Sequence, residues 1–232
     1  MIHIGIKRKY RKYTSRIFTW SIIAILIIVY AIELFFDVNN DINKLLDFGC
    51  MNNIAVVTKL QFWRLFTAQF IHAGFFHIIC NIVMIYFFGM YLEQFLGHIR
   101  YLTIYLLSGV GGNLLSFALG QDNVISCGAS TAVFGLMGSV LALYFLNNDN
   151  IIAIIIGRQA FLLLICNIVV DFFMPSVDII GHIGGTITGF LLTIILGSIF
   201  FKDAPYKIRV LFCAIFIIYL VYCLRQGMVI NI

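Results

Sequence analysis

Charged side chains are scarce in this sequence. Asp, Glu, Lys and Arg together make up 11% of its 232 residues, whereas hydrophobic residues make up 62%. A soluble globular domain carries about 25% charged residues, and one soluble core cannot bury so much apolar surface. The composition therefore excludes an ordinary soluble domain and predicts an integral membrane protein that crosses the bilayer several times.

Residues that interrupt helices are also scarce, since the sequence has only two prolines. It also has no low-complexity tract and no long linker. We therefore expect one compact all-α bundle without a second domain. Seven apolar segments would form it: residues 17–36, 66–96, 101–119, 130–147, 158–174, 179–200 and 209–228. The connection between the first two mixes charged and aromatic residues, a composition typical of the headgroup region.

Metal-binding signatures are missing. The six cysteines show no CxxC spacing, and buried cysteine usually behaves as a small hydrophobic residue. There is no HExxH motif for zinc and no pair of aspartates within the apolar segments. We expect no metal and no cofactor, and these absences disfavour zinc-dependent and paired-aspartate chemistry.

Basic residues cluster before the first apolar segment. They are Lys7, Arg8, Lys9, Arg11, Lys12 and Arg16. Positive charge beside a transmembrane helix stays in the cytoplasm, so we interpret the cluster as a topology signal rather than as a nucleic-acid site. The next segment is long enough to span the hydrocarbon core and lacks a small-residue cleavage site, which predicts a retained helix.

A cytoplasmic N-terminus sets the topology of the remaining chain. Counting crossings from it, the basic residues after the second and sixth apolar segments also fall inside, as the positive-inside rule requires. We expect a basic cytoplasmic segment over residues 1–16 and six transmembrane segments within residues 17–200. Residues 201–232 would supply a cytoplasmic connector and a seventh transmembrane helix.

The same count places reactive polar residues near the outer face of three segments. His77 and Asn81 lie in the outer half of the second segment, Ser130 begins the fourth, and His182 begins the sixth. At a rise of 1.5 Å per residue, all four lie within about 10 Å of one surface. Ionisable residues within a membrane are costly and are functional candidates by default.

Ser130 and His182 are a candidate nucleophile and base. A serine becomes a useful nucleophile when a nearby base takes its proton, and histidine is the usual base. The GxxxG element of Gly185 and Gly189 would bring two helices close enough to join them. The alternative is a simple packing seam in which His182 is a hydrogen-bonded polar residue.

Acyl transfer also needs donors for the developing oxyanion. His77 and Asn81 are spaced i, i+4 and can both donate, and the backbone after Gly128 offers further donors; the alternative is that both side chains join helices through hydrogen bonds. Phe134, one turn after Ser130, packs either against an imidazole or in the core. Asp178 is best interpreted as a helix cap, so we favour a Ser-His dyad over a triad.

Together these residues resemble the rhomboid family of intramembrane serine proteases over about residues 60–190. The matching positions are Trp63, Arg64, His72, His77, Asn81, Glu93, Gly128, Ala129, Ser130, His182, Gly185 and Gly189. The resemblance implies a six-helix core with a seventh helix added after it. It also implies that Trp63, Arg64, His72 and Glu93 are structural positions.

The resemblance further implies roles for the site. Ser130 would be the nucleophile and His182 the general base, and His77, Asn81 and the Ser130 amide would form the oxyanion hole. Phe134 would stack on His182. One position departs from the family pattern: Thr131 stands where a small residue is common, and its β-branched side chain is expected to crowd the neighbouring helix.

The function expected from this resemblance is cleavage of single-pass transmembrane proteins near the outer membrane face. The Lys-, Ile- and Asn-rich composition favours a bacterial inner or plasma membrane, with an organelle membrane as the alternative. The expected partners are lipids and membrane substrates, and no nucleic acid. One alternative is a catalytically inactive rhomboid-like protein that binds and escorts membrane clients. Another is a transporter, although we find no clear internal repeat of the kind that many transporters show.

Overall fold

The computed structural model describes residues 15–121, 124–174 and 177–229. Of the predicted cytoplasmic basic cluster, only Arg16 falls within these ranges. Pro175 and Ser176, in the loop before the sixth apolar segment, also lie outside the described residues.

The described chain is helical, apart from one isolated antiparallel bridge between Met51 and Ser126. Three short helices form the first loop: α2 (Ile42–Phe48), α3 (Asn53–Thr58) and α4 (Arg64–Thr67). The long helices are α1 (Ile17–Phe35), α5 (Phe75–Leu96), α6 (His98–Leu119), α7 (Ser130–Leu146), α8 (Ile151–Phe172), α9 (Ile179–Leu196) and α10 (Tyr206–Gly227). Six of these seven are long and apolar enough to cross a membrane, and α7 is a shorter apolar helix. The protein is therefore a polytopic helical membrane protein.

Two of the predicted segments differ from the helices found by more than four residues at one end. Residues 66–96 do not form one helix, because α4 is followed by a 3-10 turn over Ala68–Phe70 and a short loop before α5 begins at Phe75. The helix expected over residues 158–174 begins at Ile151, since the Asn150 side chain accepts hydrogen bonds from the backbone of residues 152 and 153 and caps it.

Helix α7 lies at the centre of the bundle, with most of its residues buried. It packs against α9 along Gly185 and Gly189, so the predicted GxxxG seam is present. A side chain at Gly189 would overlap the carbonyl oxygen of Gly135, and one at Gly185 would overlap that of Thr131. Such close backbone contact holds the first turns of α7 and α9 side by side.

Buried polar anchors hold the outer elements against this centre. The Glu93 carboxylate accepts hydrogen bonds from the backbone nitrogens of Phe18 and Thr19 at 3.0 and 2.9 Å, and so anchors the start of α1. At the opposite end of the bundle, the Arg64 guanidinium donates to the carbonyl oxygen of Cys50 at 2.8 Å and lies over the Trp63 ring. These contacts agree with the structural roles expected for Trp63, Arg64 and Glu93.

The seventh long helix, α10, lies beside the core. Only Cys223 and Gly227 are buried on it. Gly227 packs against Phe117 of α6, and the Tyr219 hydroxyl donates to the carbonyl oxygen of Gly111 at 2.6 Å. The arrangement is the six-helix core with one added C-terminal helix that the sequence predicts.

Candidate active site

Ser130 and His182 are in direct contact. The Oγ of Ser130 lies 2.7 Å from Nε2 of His182, within hydrogen-bonding distance. Both side chains project from the first turn of a helix, because α7 begins at Ser130 and α9 begins at Ile179. The packing of α7 against α9 thus joins two residues that the sequence places far apart.

An aromatic contact also holds the histidine ring in place. Phe134 of α7 stacks on His182 with ring centroids 4.1 Å apart and planes 10° apart. The contact expected between these two residues is therefore present. With its face covered by Phe134 and an edge on Ser130, the imidazole has little freedom to turn.

The other nitrogen of the imidazole contacts an acid that is not among the residues predicted for the site. Asp171, in the last turn of α8, has its Oδ2 2.7 Å from Nδ1 of His182. The structure therefore places beside His182 an acid that the predicted Ser-His dyad does not include. Asp178 instead accepts a hydrogen bond from the nitrogen of Gly181 at 2.8 Å and caps α9, as predicted.

A sequence signal for Asp171 did exist. An acid in the last turn of a long apolar segment is costly unless it has a partner. Sequence spacing alone could not name that partner, because Asp171 and His182 lie on different helices joined by a loop. Their contact depends on the direction in which α8 and α9 present their side chains.

The proposed oxyanion residues lie beside the loop that precedes Ser130. Gly128 has a φ of +124°, and a side chain there would lie 2.5 Å from Cε1 of His77. Only glycine allows both this backbone conformation and this close approach. Asn81 is buried, and its amide donates to the carbonyl oxygen of His77 at 3.0 Å, which leaves a second amide hydrogen.

A further buried histidine supports the same loop. His72 is fully buried, and its Nε2 accepts a hydrogen bond from the nitrogen of Ala129 at 3.3 Å. Its own backbone nitrogen donates to the carboxylate of Glu33 on α1 at 3.3 Å. Burial, together with the neighbouring His77, lowers the pKa of His72 to about 3. His72 is therefore neutral at ordinary pH and able to accept from the backbone beside Ser130.

The crowding expected from the β-branched side chain of Thr131 is not present. Its side chain is buried where glycines leave space: Gly112 on α6 and Gly181 on α9 face it. A side chain at Gly112 would lie 2.9 Å from Cβ of Thr131. The extra volume of threonine is thus accommodated by residues without side chains on the two facing helices.

The chemistry available is that of a serine nucleophile. Ser130 Oγ has a base within reach, and the base has an acid behind it. Within the described ranges, no group of three His, Cys, Asp or Glu residues is arranged to hold a metal ion.

Comparison with known proteins yields one family. The Rhomboid domain matches residues 59–199, more than half of the chain. RHOMBOID-like protein 6, mitochondrial, of Arabidopsis thaliana is 40% identical over 148 residues, which are 64% of this chain and 48% of that protein. Rhomboid protease GluP of Bacillus subtilis is 31% identical over 180 residues, which are 78% of this chain and 35% of that protein.

A third relative is covered over more of its length. Putative rhomboid protease YdcA of Bacillus subtilis is 32% identical over 141 residues, which are 59% of this chain and 68% of that protein. The chain spans less than half the length of the first two relatives.

Proposed function

The chain belongs to the rhomboid family, and from that premise we propose that it is an intramembrane serine protease with Ser130 as nucleophile and His182 as general base. The observation that carries the proposal is the 2.7 Å contact between Ser130 Oγ and His182 Nε2. This is the distance at which a base takes the proton of an attacking hydroxyl.

The reaction follows from this geometry. Ser130 Oγ attacks the carbonyl carbon of the scissile bond while His182 takes its proton. His182 then returns that proton to the leaving nitrogen, and water resolves the acyl-enzyme by the same route in reverse. The oxyanion is stabilised by the Ser130 backbone amide, with His77 and Asn81 as side-chain donors. Phe134 and Gly128 support the site by holding the imidazole and the loop before the nucleophile.

The depth of the nucleophile supports cleavage within the membrane. Helix α7 has 17 residues and is therefore about 26 Å long, shorter than the roughly 30 Å hydrocarbon core. When its C-terminal end reaches one interface, Ser130 lies below the other. A substrate helix must unwind to expose a peptide bond there, so the proposed substrates are single-pass membrane proteins with small or helix-weakening residues near that interface.

Orientation and location complete the proposal. With the N-terminus in the cytoplasm, Ser130 opens towards the outer face, and the proposed location is a bacterial plasma membrane. The proposed division of the chain is a basic cytoplasmic segment (1–16), a six-helix core (17–200) and a connector with the seventh helix (201–232).

An activity-based probe tests the proposal directly. Purified protein is treated with a fluorophosphonate, which reacts with activated serines, and with a model single-pass substrate. We expect labelling at Ser130 and cleavage by the parent, and the loss of both in Ser130→Ala and His182→Ala. An inactive protein that escorts membrane clients would bind the substrate without cleaving it and without reacting with the probe, and that outcome would refute the protease.

A further inference from the structure

We infer that Asp171 is a positioning residue that holds His182 in the tautomer needed to activate Ser130, so that the site works as a triad. This inference rests on the proposed protease function. Its geometric basis is a continuous line of contacts: Asp171 Oδ2 lies 2.7 Å from Nδ1 of His182, and Nε2 of the same ring lies 2.7 Å from Ser130 Oγ.

The chemistry of the three groups assigns the protons. An ionised carboxylate only accepts hydrogen bonds, so the short contact with Asp171 requires the hydrogen on Nδ1 of His182. Nε2 is then unprotonated and accepts from the Ser130 hydroxyl. This is the tautomer in which histidine can act as the base. Without the acid, the hydrogen is free to move to Nε2, where it blocks proton transfer from Ser130.

Packing does not account for Asp171. The residues of α8 that are buried are Ala153, Gly157, Ala160 and Leu164. Beyond Leu164 the helix has no buried residue, and Phe172 is largely exposed. The Asp171 side chain is nevertheless only 10% exposed, because it turns towards His182. An acid placed on a loosely packed apolar helix and paired with the base is explained by a role in positioning that base.

The variants Asp171→Asn, Asp171→Glu and Asp178→Asn distinguish this role from a structural one. Asparagine keeps the shape of Asp171 but offers an amide donor to Nδ1, which selects the wrong tautomer. Glutamate keeps the carboxylate. Asp178→Asn is the matched control, since it removes the acid at the other end of the loop between α8 and α9 while asparagine still caps α9.

The readouts are the rate of fluorophosphonate labelling at Ser130, and kcat and KM on a model transmembrane substrate. The corresponding change in a serine protease triad lowers kcat by about 10⁴-fold, so we expect Asp171→Asn to lower the labelling rate and kcat at least about 100-fold, with KM little changed. Asp171→Glu should recover part of this loss, and Asp178→Asn should behave as the parent does.

Each outcome decides the inference. If Asp171→Asn labels and cleaves like the parent, or loses no more than Asp178→Asn loses, the positioning role is refuted while the protease stands. If Asp171→Glu is as impaired as Asp171→Asn, charge at this site is not what matters and the role is again refuted. If the parent itself does not react at Ser130, the proposed function fails, and the triad fails with it.

A separate observation concerns two cysteines at the same end of the bundle. We propose that Cys50 and Cys127 form a reversible disulfide that joins the first loop to the segment leading into Ser130. Met51 and Ser126 form an antiparallel bridge, with Met51 donating to the carbonyl oxygen of Ser126 at 2.8 Å and Ser126 donating back at 3.0 Å. Cys50 precedes Met51 and Cys127 follows Ser126, so the two cysteines are the next pair of facing residues beside this bridge.

Their position suits a disulfide. The pair next to a hydrogen-bonded antiparallel pair has Cα atoms about 4.5 Å apart, within the 4.4–6.8 Å range of disulfides. Both cysteines belong to one small cluster with Val38, Leu45 and Ile71. The neighbouring Cys127 thiol, and then burial, raise the pKa of the Cys50 thiol.

Formation of the bond needs an external disulfide such as oxidised glutathione. Cys127 is partly exposed and Cys50 is buried, so the Cys127 thiolate attacks the oxidant and releases one thiol. Cys50 then attacks Cys127 and releases the second thiol. Two electrons and two protons pass from the cysteines to the oxidant, which leaves as two thiols.

Thiol counting and peptide mapping test this proposal. After treatment of the full-length protein with oxidised glutathione, we expect two of its six thiols to be lost, a peptide linking Cys50 to Cys127, and full recovery with dithiothreitol. Cys50→Ser should carry only a glutathione adduct on Cys127. Cys80→Ser should also lose two thiols, from five, and should give the same peptide linking Cys50 to Cys127 as the parent. Six unreacted thiols in the parent, or a link between other cysteines, would overturn the proposal.

Discussion

Gly128 and His77 are in contact, with the imidazole of His77 filling the space into which a side chain at residue 128 would project. The φ of +124° at Gly128 also excludes most other residues. The conformation of the loop that leads into Ser130 therefore requires glycine at residue 128. Replacing Gly128 by alanine tests this requirement.

Gly128→Ala should displace His77 and lower kcat. Loss of one oxyanion donor costs about 100- to 1000-fold in kcat, and we expect a decrease in that range if the proposed role of His77 holds. Gly74→Ala is the matched control, since Gly74 also has a positive φ but a side chain there would meet open space. Equal activity of the two variants would show that the contact with His77 is unimportant.

Phe134→Leu should weaken catalysis modestly. Leucine keeps a hydrophobic side chain but loses the stacked plane, and aromatic pairs contribute about 0.5–1.5 kcal/mol beyond their buried area. We therefore expect kcat to fall by up to about 10-fold, with Phe134→Tyr close to the parent if the hydroxyl is accommodated. The measurement is steady-state cleavage of a transmembrane substrate. An unchanged kcat in Phe134→Leu would mean that the stack does not orient His182.

His72 should make the folded protein sensitive to acid. The pKa of His72 is about 3 in the folded protein, whereas the ordinary value, which applies to the unfolded chain, is 6.5. As the pH falls below 6.5, the unfolded state therefore binds more protons at this residue than the folded state does. Its contribution to stability is complete above pH 6.5 and is lost progressively between pH 6.5 and pH 3. The midpoint of thermal unfolding in detergent, measured from pH 7.5 to pH 4.5, should therefore fall.

The variant His72→Gln isolates this contribution. Glutamine cannot be protonated in this range, yet its side-chain oxygen can accept from the nitrogen of Ala129. We expect it to be less stable than the parent at pH 7.5 but to lose less stability on acidification. If the parent and His72→Gln have parallel pH profiles, the acid sensitivity arises at another group.

Glu93→Gln should destabilise the protein, whereas Asp149→Asn should not. Glu93 is fully buried and accepts two backbone hydrogen bonds at the start of α1. Hydrogen bonds to charged groups contribute about 1.5–3 kcal/mol, so a clear decrease in the unfolding midpoint is expected. Asp149 pairs with Lys202 at the surface, with both side chains mostly exposed, and such pairs contribute little. Equal midpoints for the two variants would contradict this account of Glu93.

Local sequence patterns predicted most of the architecture. The number of long apolar helices, the positions of Ser130 and His182 at helix starts, and the cap at Asp178 agree with the structure, because hydrophobicity and capping are properties of neighbouring residues. The errors also have local causes. The apolar pattern predicts a start of α8 at residue 158, because the capping residue Asn150 lies in a polar stretch that resembles a loop.

The sequence alone indicates that this chain crosses a membrane as a helical bundle of the rhomboid family, and that a serine and a histidine begin two of its helices. The contacts between side chains are visible only in the folded bundle: Asp171 with His182, Glu33 with His72, and Thr131 with the glycines that make room for it. The physical reason is that apolar periodicity reports how long a helix is, whereas contact between helices depends on their rotation, depth and separation. Those quantities are set by packing of the whole bundle, in which a single glycine allows two helix backbones to come into contact.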